Sequence, residues 1–348
     1  MASSAPLRLG VIGAGANTRE KHLPGFQTLP GVSVEVVCNR SPASSQTVAD
    51  AFGIPRIASD WSAVVADPTI DAICIGTWPY LHAPITIAAL AAGKHVLTEA
   101  RMAMNASEAA AMVEAARQQP ECVAQIVPSP ITLPWDATIA RLVATGAIGV
   151  LREIHFVNTS SASADPAAPL SWRLDRSLSG HNTMALGICY EAIQRWTLRR
   201  PTRVWATGTT FTTRRLDPAT GAAREVEVPE SLNFVARGPE GPVISGYLSS
   251  VESGPGRSVF VLNGSSGTLT LDLTTQELRH TPHHGETRLV DIPTAERGGW
   301  QVEADFVASI REGRPVTHTS FADGLDYMRF TTAVHDSVTA GGMETGVH

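Results

Sequence analysis

Short apolar runs alternate with segments of helical character over the first third of the chain. The runs are continuous and rich in β-branched residues, which is typical of parallel strands covered on both faces. Because helical segments separate the runs, the pattern predicts a doubly wound parallel sheet. The predicted strands are Leu9–Ile12, Val34–Cys38, Ala72–Ile75, His95–Leu97 and Val123–Val127, and the predicted helices are Ser44–Phe52, Trp61–Val65, His82–Ala92 and Ser107–Gln118.

The pattern changes after Pro130. Residues 202–292 are strand-like with turns between them, which indicates an antiparallel sheet rather than further strand–helix–strand units. We therefore predict two domains: residues 1–127 with the parallel sheet, and residues 128–348, an α/β domain with a large open, mainly antiparallel sheet. The other predicted elements are helices at Trp135–Ala144, 183–198, Gln301–Glu312 and Ala322–Ala340, and a strand at Leu151–Asn158.

A glycine-rich turn follows the first predicted strand. The strand runs through Ile12 into Gly13-Ala14-Gly15, and a helix-like segment follows. This arrangement delivers the pyrophosphate of a dinucleotide to a helix N-terminus, and glycine lets the phosphates approach the backbone N–H groups. The alternative is a tight strand–helix turn without a ligand. On the first interpretation residues 1–127 form a dinucleotide-binding Rossmann domain, with contacts from Gly13, Gly15, Ala16, Asn17 and Thr18.

Composition and charge narrow the class of protein. The chain has 348 residues, of which 43% are hydrophobic and 17% charged, as in ordinary globular proteins. A net charge of −6 favours neither nucleic acid nor an anionic membrane. The first residues lack the features of a secretory signal, and the apolar runs are too short to span a bilayer. Four scattered cysteines with apolar neighbours indicate buried free thiols. We therefore expect a cytoplasmic protein.

Several further strings carry a family resemblance. They are Pro79-Tyr80-Leu81-His82, Gly93-Lys94-His95-Val96-Leu97-Thr98-Glu99, Trp172-Arg173 and Gly264-Ser265-Ser266-Gly267-Thr268-Leu269. Together with the glycine turn, they resemble the Gfo/Idh/MocA oxidoreductases, the family of glucose–fructose oxidoreductase and inositol dehydrogenase. The resemblance implies NAD or NADP as cofactor, a small carbohydrate-like substrate, and a C-terminal sheet with one face towards a partner subunit in a homodimer or homotetramer. It adds Thr77, Trp78, His82 and Glu99 to the expected cofactor contacts.

The chain departs from this family at three positions. Members usually follow the glutamate with Lys-Pro, and the lysine acts at the substrate hydroxyl; here Ala100 and Arg101 follow Glu99. Members also carry an Asp and, four residues later, a His facing the nicotinamide; the matching residues here are Ala185 and Cys189. Alanine cannot move a proton, and a cysteine with a pKa of ~8.5 is a poor base for an alcohol. The absence of all three acid–base groups from one site indicates that other residues have replaced them.

Two residues are candidates for the missing proton carrier. His181 stands where relatives have a glycine run, and the near-neutral pKa of histidine suits proton transfer. The alternative is a histidine that only bonds a loop carbonyl. Tyr190 is the second candidate; the next residue, Glu191, points in a different direction on a helix. The predicted substrate contacts are Arg101, Trp172, Arg173 and Asn182.

Three further histidines, His280, His283 and His284, suggest a metal cluster. However, residues 279–285 are typical of a β-turn, and no carboxylate or thiol lies at ligand spacing. We predict a solvated hairpin tip and no metal site.

The end of the second predicted strand bears on the choice of cofactor. In NAD-specific sites an acidic residue here bonds the ribose 2′-OH. This chain has Asn39, followed by Arg40 and Ser41, which can bind a phosphate. Alternatively, Arg40 stacks on the adenine of either cofactor. The sequence favours NADP(H) over NAD(H).

Three functions remain open at this point. The first is an NAD(P)-dependent oxidoreductase of a sugar, polyol or related hydroxy or keto compound, with substitute acid–base residues. The second is a redox-neutral lyase or glycoside-cleaving enzyme with a tightly held nicotinamide cofactor. The third is a cofactor-binding protein without catalysis, against which the retained polar residues His181, Asn182, Tyr190 and Arg101 argue.

Overall fold

The structure is a computed structural model that describes residues 6–348. Strands and helices alternate up to residue 126. A π-helical turn, Thr18–His22, precedes the first α-helix, and a 3₁₀ turn, Pro79–Leu81, precedes the fourth. In chain order the elements are β1 (Leu7–Ile12), α1 (Leu23–Gln27), β2 (Val32–Cys38), α2 (Pro42–Phe52), β3 (Arg56–Ile57), α3 (Trp61–Ala66), β4 (Ala72–Ile75), α4 (His82–Ala91), β5 (His95–Thr98), α5 (Ala106–Gln118) and β6 (Ala124–Ile126).

The rest of the chain is dominated by strands. Three α-helices precede or interrupt them, and two more come near the end of the chain. The elements are α6 (Leu133–Ala144), β7 (Leu151–Thr159), α7 (Arg176–Ser179), α8 (Leu186–Trp196), β8 (Arg203–Thr209), β9 (Arg214–Leu216), β10 (Ala223–Glu225), β11 (Ser231–Arg237), β12 (Val243–Ser249), β13 (Ser258–Gly264), β14 (Gly267–Asp272), β15 (Glu277–Pro282), β16 (Arg288–Leu289), α9 (Val302–Glu312), α10 (Phe321–Thr339) and β17 (Thr345–Gly346), with 3₁₀ turns at Trp172–Leu174 and Thr294–Glu296.

The first sheet has six strands in the order β3-β2-β1-β4-β5-β6, all paired in parallel. All four residues of the central strand β4 are buried, and β1 is buried at every position except Arg8. This burial on both faces explains why the strands are continuous apolar runs in the sequence. The order reverses between β1 and β4, which is where open α/β sheets bind their ligands.

The second sheet has nine strands in the order β16-β15-β14-β13-β7-β12-β11-β8-β17. Only β7 and β12 pair in parallel among these strands. One face is buried: Phe156, Phe234 and Phe260 point into a core with Trp196 of α8 and Phe330 of α10. The opposite face alternates with it and is partly exposed, as the pattern of β11 shows. The predicted fold class, a Rossmann sheet plus a large, mainly antiparallel sheet, is confirmed.

Two compact units divide the chain. One comprises the residues up to Pro128 together with Gln301–Met328, and the other comprises Ser129–Trp300 together with Arg329–His348. The sequence placed one boundary, at residues 127/128, and assigned everything after it to the second domain. Residues 301–328 instead group with the first unit, because α9 contacts α1 and Tyr327 accepts a hydrogen bond from the Met102 backbone N–H.

The predicted elements match the observed ones, with bounds that differ by up to three residues. The sequence missed β3, α7, β17 and the π-helical turn. The histidine-rich segment differs from its prediction: His280 lies within β15 rather than at a hairpin tip, because β15 continues its pairing with β14 as far as Pro282. Within residues 6–348 no helix is long and apolar enough to cross a membrane, and all four cysteines are free thiols.

Candidate functional site

The glycine turn after β1 packs directly against the end of β4. Gly13 has φ +85°, and its N–H donates to the Cys38 carbonyl at 2.8 Å. A Cβ at Gly13 would lie 2.6 Å from the Thr77 backbone nitrogen, so only glycine fits. At Gly15 the nearest atom to such a Cβ would be the Gly76 carbonyl oxygen, at 3.6 Å. The protein itself therefore leaves room for a side chain at Gly15, on the open side of the turn.

Thr18, at the third position of the fingerprint, faces Gly76. Its hydroxyl donates to the Gly13 carbonyl at 3.3 Å, and a Cβ at Gly76 would lie 2.1 Å from that hydroxyl. In the usual fingerprint the third glycine permits close packing of helix and strand. Here the space is provided by Gly76 on the neighbouring strand end, so Thr18 fits without loss of the close approach.

The residues after β2 differ in what they can offer a ligand. The Asn39 side-chain oxygen accepts from the Ala14 N–H at 2.7 Å, and its amide donates to the Ser44 carbonyl at 3.0 Å. Ser41 caps α2 by accepting from the Ser44 N–H. Arg40 is exposed and makes no hydrogen bond or ion pair with any residue in the described range 6–348. Its guanidinium is therefore free to meet an anionic ligand.

A cleft of about 410 Å³ opens at this edge of the sheet. Asp60 lies in its wall as the cap of α3 and accepts from the Ser62 N–H at 2.7 Å; bonds from the Ser62 hydroxyl and N–H lower the pKa of its carboxyl. Sequence analysis missed this carboxylate, although an Asp before a helical run is a capping signal. Of the predicted contacts, Gly13, Gly15, Asn39, Arg40, Thr77 and Trp78 line the cleft; Ser44, Ser59, Asp60, Trp61 and Tyr80 line it without having been predicted.

Glu99, at the end of β5, belongs to a buried charged cluster. The Asn17 amide donates to its Oε1 at 2.5 Å, and His22 Nε2 lies 3.0 Å from the same oxygen. The other ring nitrogen of His22, Nδ1, lies 2.5 Å from Glu303 Oε1. Sequence analysis predicted Asn17 and Glu99 but missed His22 and Glu303. No local pattern connects two residues that are 281 positions apart.

The partners of His22 determine its protonation. Burial by itself would lower the pKa of His22, but hydrogen bonds to Glu303 and Glu99 outweigh it and raise the pKa to about 9. For Glu99, burial by itself would raise the pKa of the carboxyl, but the bond to His22 and the charge of that ring hold it below its usual range. His22 is therefore an imidazolium at neutral pH, bonded to two carboxylates.

His82 connects two backbone segments. Its Nε2 lies 2.9 Å from the Thr77 carbonyl oxygen and its Nδ1 lies 2.9 Å from the Arg101 carbonyl oxygen. Complete burial lowers the pKa of His82, so the ring is neutral and donates its single N–H to one of the two carbonyls. His82 thus holds the segments after β4 and β5 in place.

In the second unit, His181 lies in a small polar cluster. Its ring stacks on that of His335 with centroids 3.9 Å apart, and its Nδ1 lies 3.3 Å from the Thr332 hydroxyl. Arg176 donates to His335 Nε2 at 3.2 Å. Burial, His181 and Arg176 together lower the pKa of His335 to about 4, and burial lowers the pKa of His181. His181, His335 and Asp336 have ligand-type atoms within 4.8 Å of one another, but the adjacent Arg176 charge disfavours a cation.

Tyr190, the second predicted proton carrier, lies in the core. It is 2% exposed, and its ring stacks on Phe330 with centroids 3.9 Å apart. Ala185 and Cys189 stand at the positions of the missing acid–base pair, and the Cys189 thiol is fully buried on α8. This helix therefore presents its apolar residues to the core and provides no exposed acid–base group at position 189.

The predicted substrate contacts lie in both units. The Arg173 guanidinium packs over the Trp172 ring at 4.4 Å, whereas Asn182 is buried and donates to the Ser179 carbonyl at 2.7 Å. Arg101 is 8% exposed. The loop before Trp172 is held by the buried Arg215, which donates to backbone carbonyls there at 2.7–3.0 Å and pairs with Glu230 at 2.9 Å.

Comparison with known proteins identifies the family. Residues 7–126 match the model of the oxidoreductase family with an NAD-binding Rossmann fold, and residues 137–270 match the GFO/IDH/MocA C-terminal domain. The chain belongs to the GFO/IDH/MocA oxidoreductase family. The family resemblance seen in the sequence is therefore confirmed.

Named relatives include levoglucosan dehydrogenase of Pseudarthrobacter phenanthrenivorans, 31% identical over 185 residues, which are 51% of this chain and 47% of that protein. Inositol 2-dehydrogenase of Acidothermus cellulolyticus is 34% identical over 116 residues, 33% of this chain and 34% of the relative. The chain thus spans about half, or less, of the length of these curated relatives.

Solved structures match over nearly the whole chain. An oxidoreductase domain protein from Kribbella flavida is 27% identical with a TM-score of 0.85, covering 99% of this chain and 100% of its own. A levoglucosan dehydrogenase in complex with NADH and levoglucosan is 25% identical with a TM-score of 0.85, covering 98% and 99%.

Substitutions at the two glycines of the turn should have different effects on cofactor binding and on stability. Gly15→Val should reduce nicotinamide dinucleotide affinity more than tenfold with little change in thermal stability, because its side chain would meet the phosphates and not the protein. Gly13→Ala should lower the melting temperature as well, because of the positive φ and the contact with Thr77. Fluorescence titration and thermal unfolding check both; an unchanged titration for Gly15→Val would contradict the pyrophosphate position.

Proposed function

We propose that the protein is an NAD(P)-dependent oxidoreductase acting on the hydroxyl or carbonyl group of a sugar, polyol or related compound. The observation that carries this proposal is the cleft at the switch point of the parallel sheet, where Gly15 is open and Arg40 is free. The names of the relatives, levoglucosan dehydrogenase and inositol 2-dehydrogenase, support the substrate class.

The residues of the cleft suit a dinucleotide. The turn from Gly13 to Asn17 would hold the pyrophosphate, and Arg40 would meet the 2′-phosphate of NADP. A nicotinamide cofactor held there would supply hydride transfer to or from the substrate carbon. We infer a preference for NADP(H). Asn39 carries no negative charge for the ribose hydroxyls, and its side-chain oxygen already accepts a hydrogen bond from the Ala14 N–H.

His181 is the proton carrier that we propose in place of the missing lysine, aspartate and histidine. Its Nε2 makes no hydrogen bond within residues 6–348, and the lowered pKa keeps the ring neutral and able to accept a proton. Tyr190 ranks below it, because its ring is packed in the core against Phe330.

A redox-neutral reaction is the second candidate, favoured by the alanine at position 100 where relatives have the catalytic lysine. Here a substrate bond would be eliminated and no net reduced cofactor would accumulate. Product analysis together with the absorbance of reduced nicotinamide distinguishes the two reactions.

The exposed face of the nine-stranded sheet is the surface that we propose for a second copy of the chain. It carries a hollow of about 460 Å³ whose lining includes Val157, Trp205, Val235 and Tyr247. Val235, on the interior strand β11, is 44% exposed on this face. Partly exposed apolar side chains on central strands of a sheet are typical of protein–protein contacts.

Replacement of His181 tests the proposed reaction. With levoglucosan or inositol as probe substrates and either cofactor, His181→Gln should lower kcat by ~10²–10⁴-fold, the usual contribution of a general acid–base group. Tyr190→Phe should lose less than tenfold, and His283→Gln, an exposed histidine, should match the wild type. Turnover by His181→Gln at the wild-type rate would exclude His181 as carrier; absence of turnover of any polyol by the wild type would contradict the function.

Two charge changes at the adenosine end test cofactor preference. Arg40→Ala should weaken NADP(H) binding by about 1.5–3 kcal/mol and leave NAD(H) nearly unchanged, since charge-assisted bonds to phosphate are lost. Asp60→Asn keeps a capping oxygen but removes a negative charge, and should tighten NADP(H) relative to NAD(H). Equal weakening of both cofactors by Arg40→Ala would indicate adenine stacking instead.

A charge on the exposed sheet face tests the assembly. The wild type should sediment as a dimer or tetramer at micromolar concentration, and Val235→Asp should shift it towards monomer, because an unpaired carboxylate would be buried. Leu289→Asp, a matched change on the edge strand β16, should leave the assembly intact. A monomeric wild type would overturn the proposed interface.

A further inference from the structure

The buried cluster of Glu99, His22 and Glu303 has no role in the function proposed above. The His22 side chain is completely buried, that of Glu303 is 5% exposed, and that of Glu99 is 15% exposed. Only Glu99 therefore reaches the surface to a measurable extent, at the end of β5. The other two residues contribute charge and hydrogen bonds from behind it.

The fold makes room for the cluster at two places. The π-helical turn Thr18–His22 carries His22 at its last residue, and such turns are frequent at functional sites. One turn later, Gly25 lacks the side chain that would block Glu303: a Cβ there would lie 2.7 Å from the Glu303 carboxylate. Glu303 comes from the first turn of α9, so three separate segments converge on the imidazole.

The cluster has a net charge of −1. An imidazolium that donates through both nitrogens leaves two carboxylates with one positive charge between them. Two neighbouring titratable groups add no charge: burial raises the pKa of the Cys74 thiol and lowers the pKa of His82, so both are neutral. Burial also raises the pKa of Asp305, which interacts with Glu303, His318 and Arg314.

The position of Glu99 in the sheet places this charge across the switch point from Arg40. The strand order is β3-β2-β1-β4-β5, so Arg40 follows a strand on one side of the switch point and Glu99 a strand on the other. A dinucleotide lies across the switch point, with its two halves on opposite sides. If Arg40 meets the adenosine half, Glu99 faces the nicotinamide half.

We propose that the Glu99–His22–Glu303 cluster makes the site bind the oxidised cofactor in preference to the reduced one. The inference rests on the proposed nicotinamide cofactor. The oxidised nicotinamide ring carries a positive charge and the reduced ring carries none, so a fixed negative charge stabilises only the former. At an effective dielectric of ~20 and a separation of ~10 Å, one unit charge changes the ratio of the two affinities by ~10-fold. Ala100 stands next to Glu99, at the position where family members usually carry a lysine.

The test is the ratio of the dissociation constants of the reduced and oxidised cofactors, measured by titration near neutral pH with NADPH and NADP⁺. Glu303→Gln keeps the shape of the side chain and removes one negative charge behind Glu99. Because it also removes a bond that keeps His22 protonated, this variant is compared with the wild type at pH ~6, below the ordinary pKa of histidine. There it should lower the preference for the oxidised form ~10-fold. Asp60→Asn, the matched control at the other end of the cleft, should change both dissociation constants by the same factor.

A second variant works from outside the cluster. Ala100→Lys introduces a cation next to Glu99 and should also lower the preference ~10-fold. It covers the case in which Glu303→Gln does not fold. A folded Ala100→Lys protein whose ratio stays within twofold of the wild type overturns the inference.

The preference for the oxidised cofactor should change with pH in one direction. His22 loses its proton as the pH rises through about 9, and the cluster then gains a further negative charge. The preference of the wild type for the oxidised form should therefore increase above that pH, and it should not do so in His22→Gln. A parallel increase in both proteins contradicts the assignment.

These binding measurements need no turnover. The proposed reaction and the proposed effect of the cluster can therefore be contradicted independently of each other. A protein that binds both cofactor forms but converts no substrate contradicts the proposed reaction only. A protein that turns over a polyol but shows equal ratios in the wild type and both variants contradicts the cluster only.

Discussion

The close approach of the Gly13 turn to the end of β4 is the constraint on which the site depends. Side chains are excluded on both sides of this contact, at Gly13 by the Thr77 backbone and at Gly76 by Thr18 and the Gly13 carbonyl. The approach brings the start of the first helix to the switch point of the sheet and leaves Gly15 open. Without it, no cleft of this shape would form between β1 and β4, whatever the other residues were.

Charge is distributed unevenly along that edge of the sheet. At one end Arg40 and Asp60 have opposite charges, and both lie in the wall of the cleft. Across the switch point the cluster around His22 is buried, and Glu99 is its most exposed member. Under our two proposals these groups act on different properties of one ligand: Arg40 on the presence of a phosphate, and the cluster on the charge of the nicotinamide ring.

The second unit shows what replaced the usual acid–base helix. On α8, Cys189 and Tyr190 belong to a buried surface, and the Tyr190 ring packs against Phe330. Ala185 stands just before the helix and is half-buried. Polar groups lie elsewhere in this unit, where His181 packs against His335 and Thr332. An uncharged residue at position 189 is compatible with this burial, because an unpaired buried charge would be costly.

The sequence by itself determined the alternation of strands and helices, the two sheets, the glycine turn and the family, because periodicity and motifs are local properties of the chain. It also singled out Glu99, Arg40 and His181 as candidates for the site. Only the tertiary structure decided which contacts form around these residues. The Asn39 side chain bonds the Ala14 N–H, and Gly76 leaves room for Thr18. Residues 301–328 join the first unit, which brings Glu303 to His22. Such partners are far apart in sequence and are chosen by packing and by the need to satisfy buried charges, for which the chain carries no periodic signal.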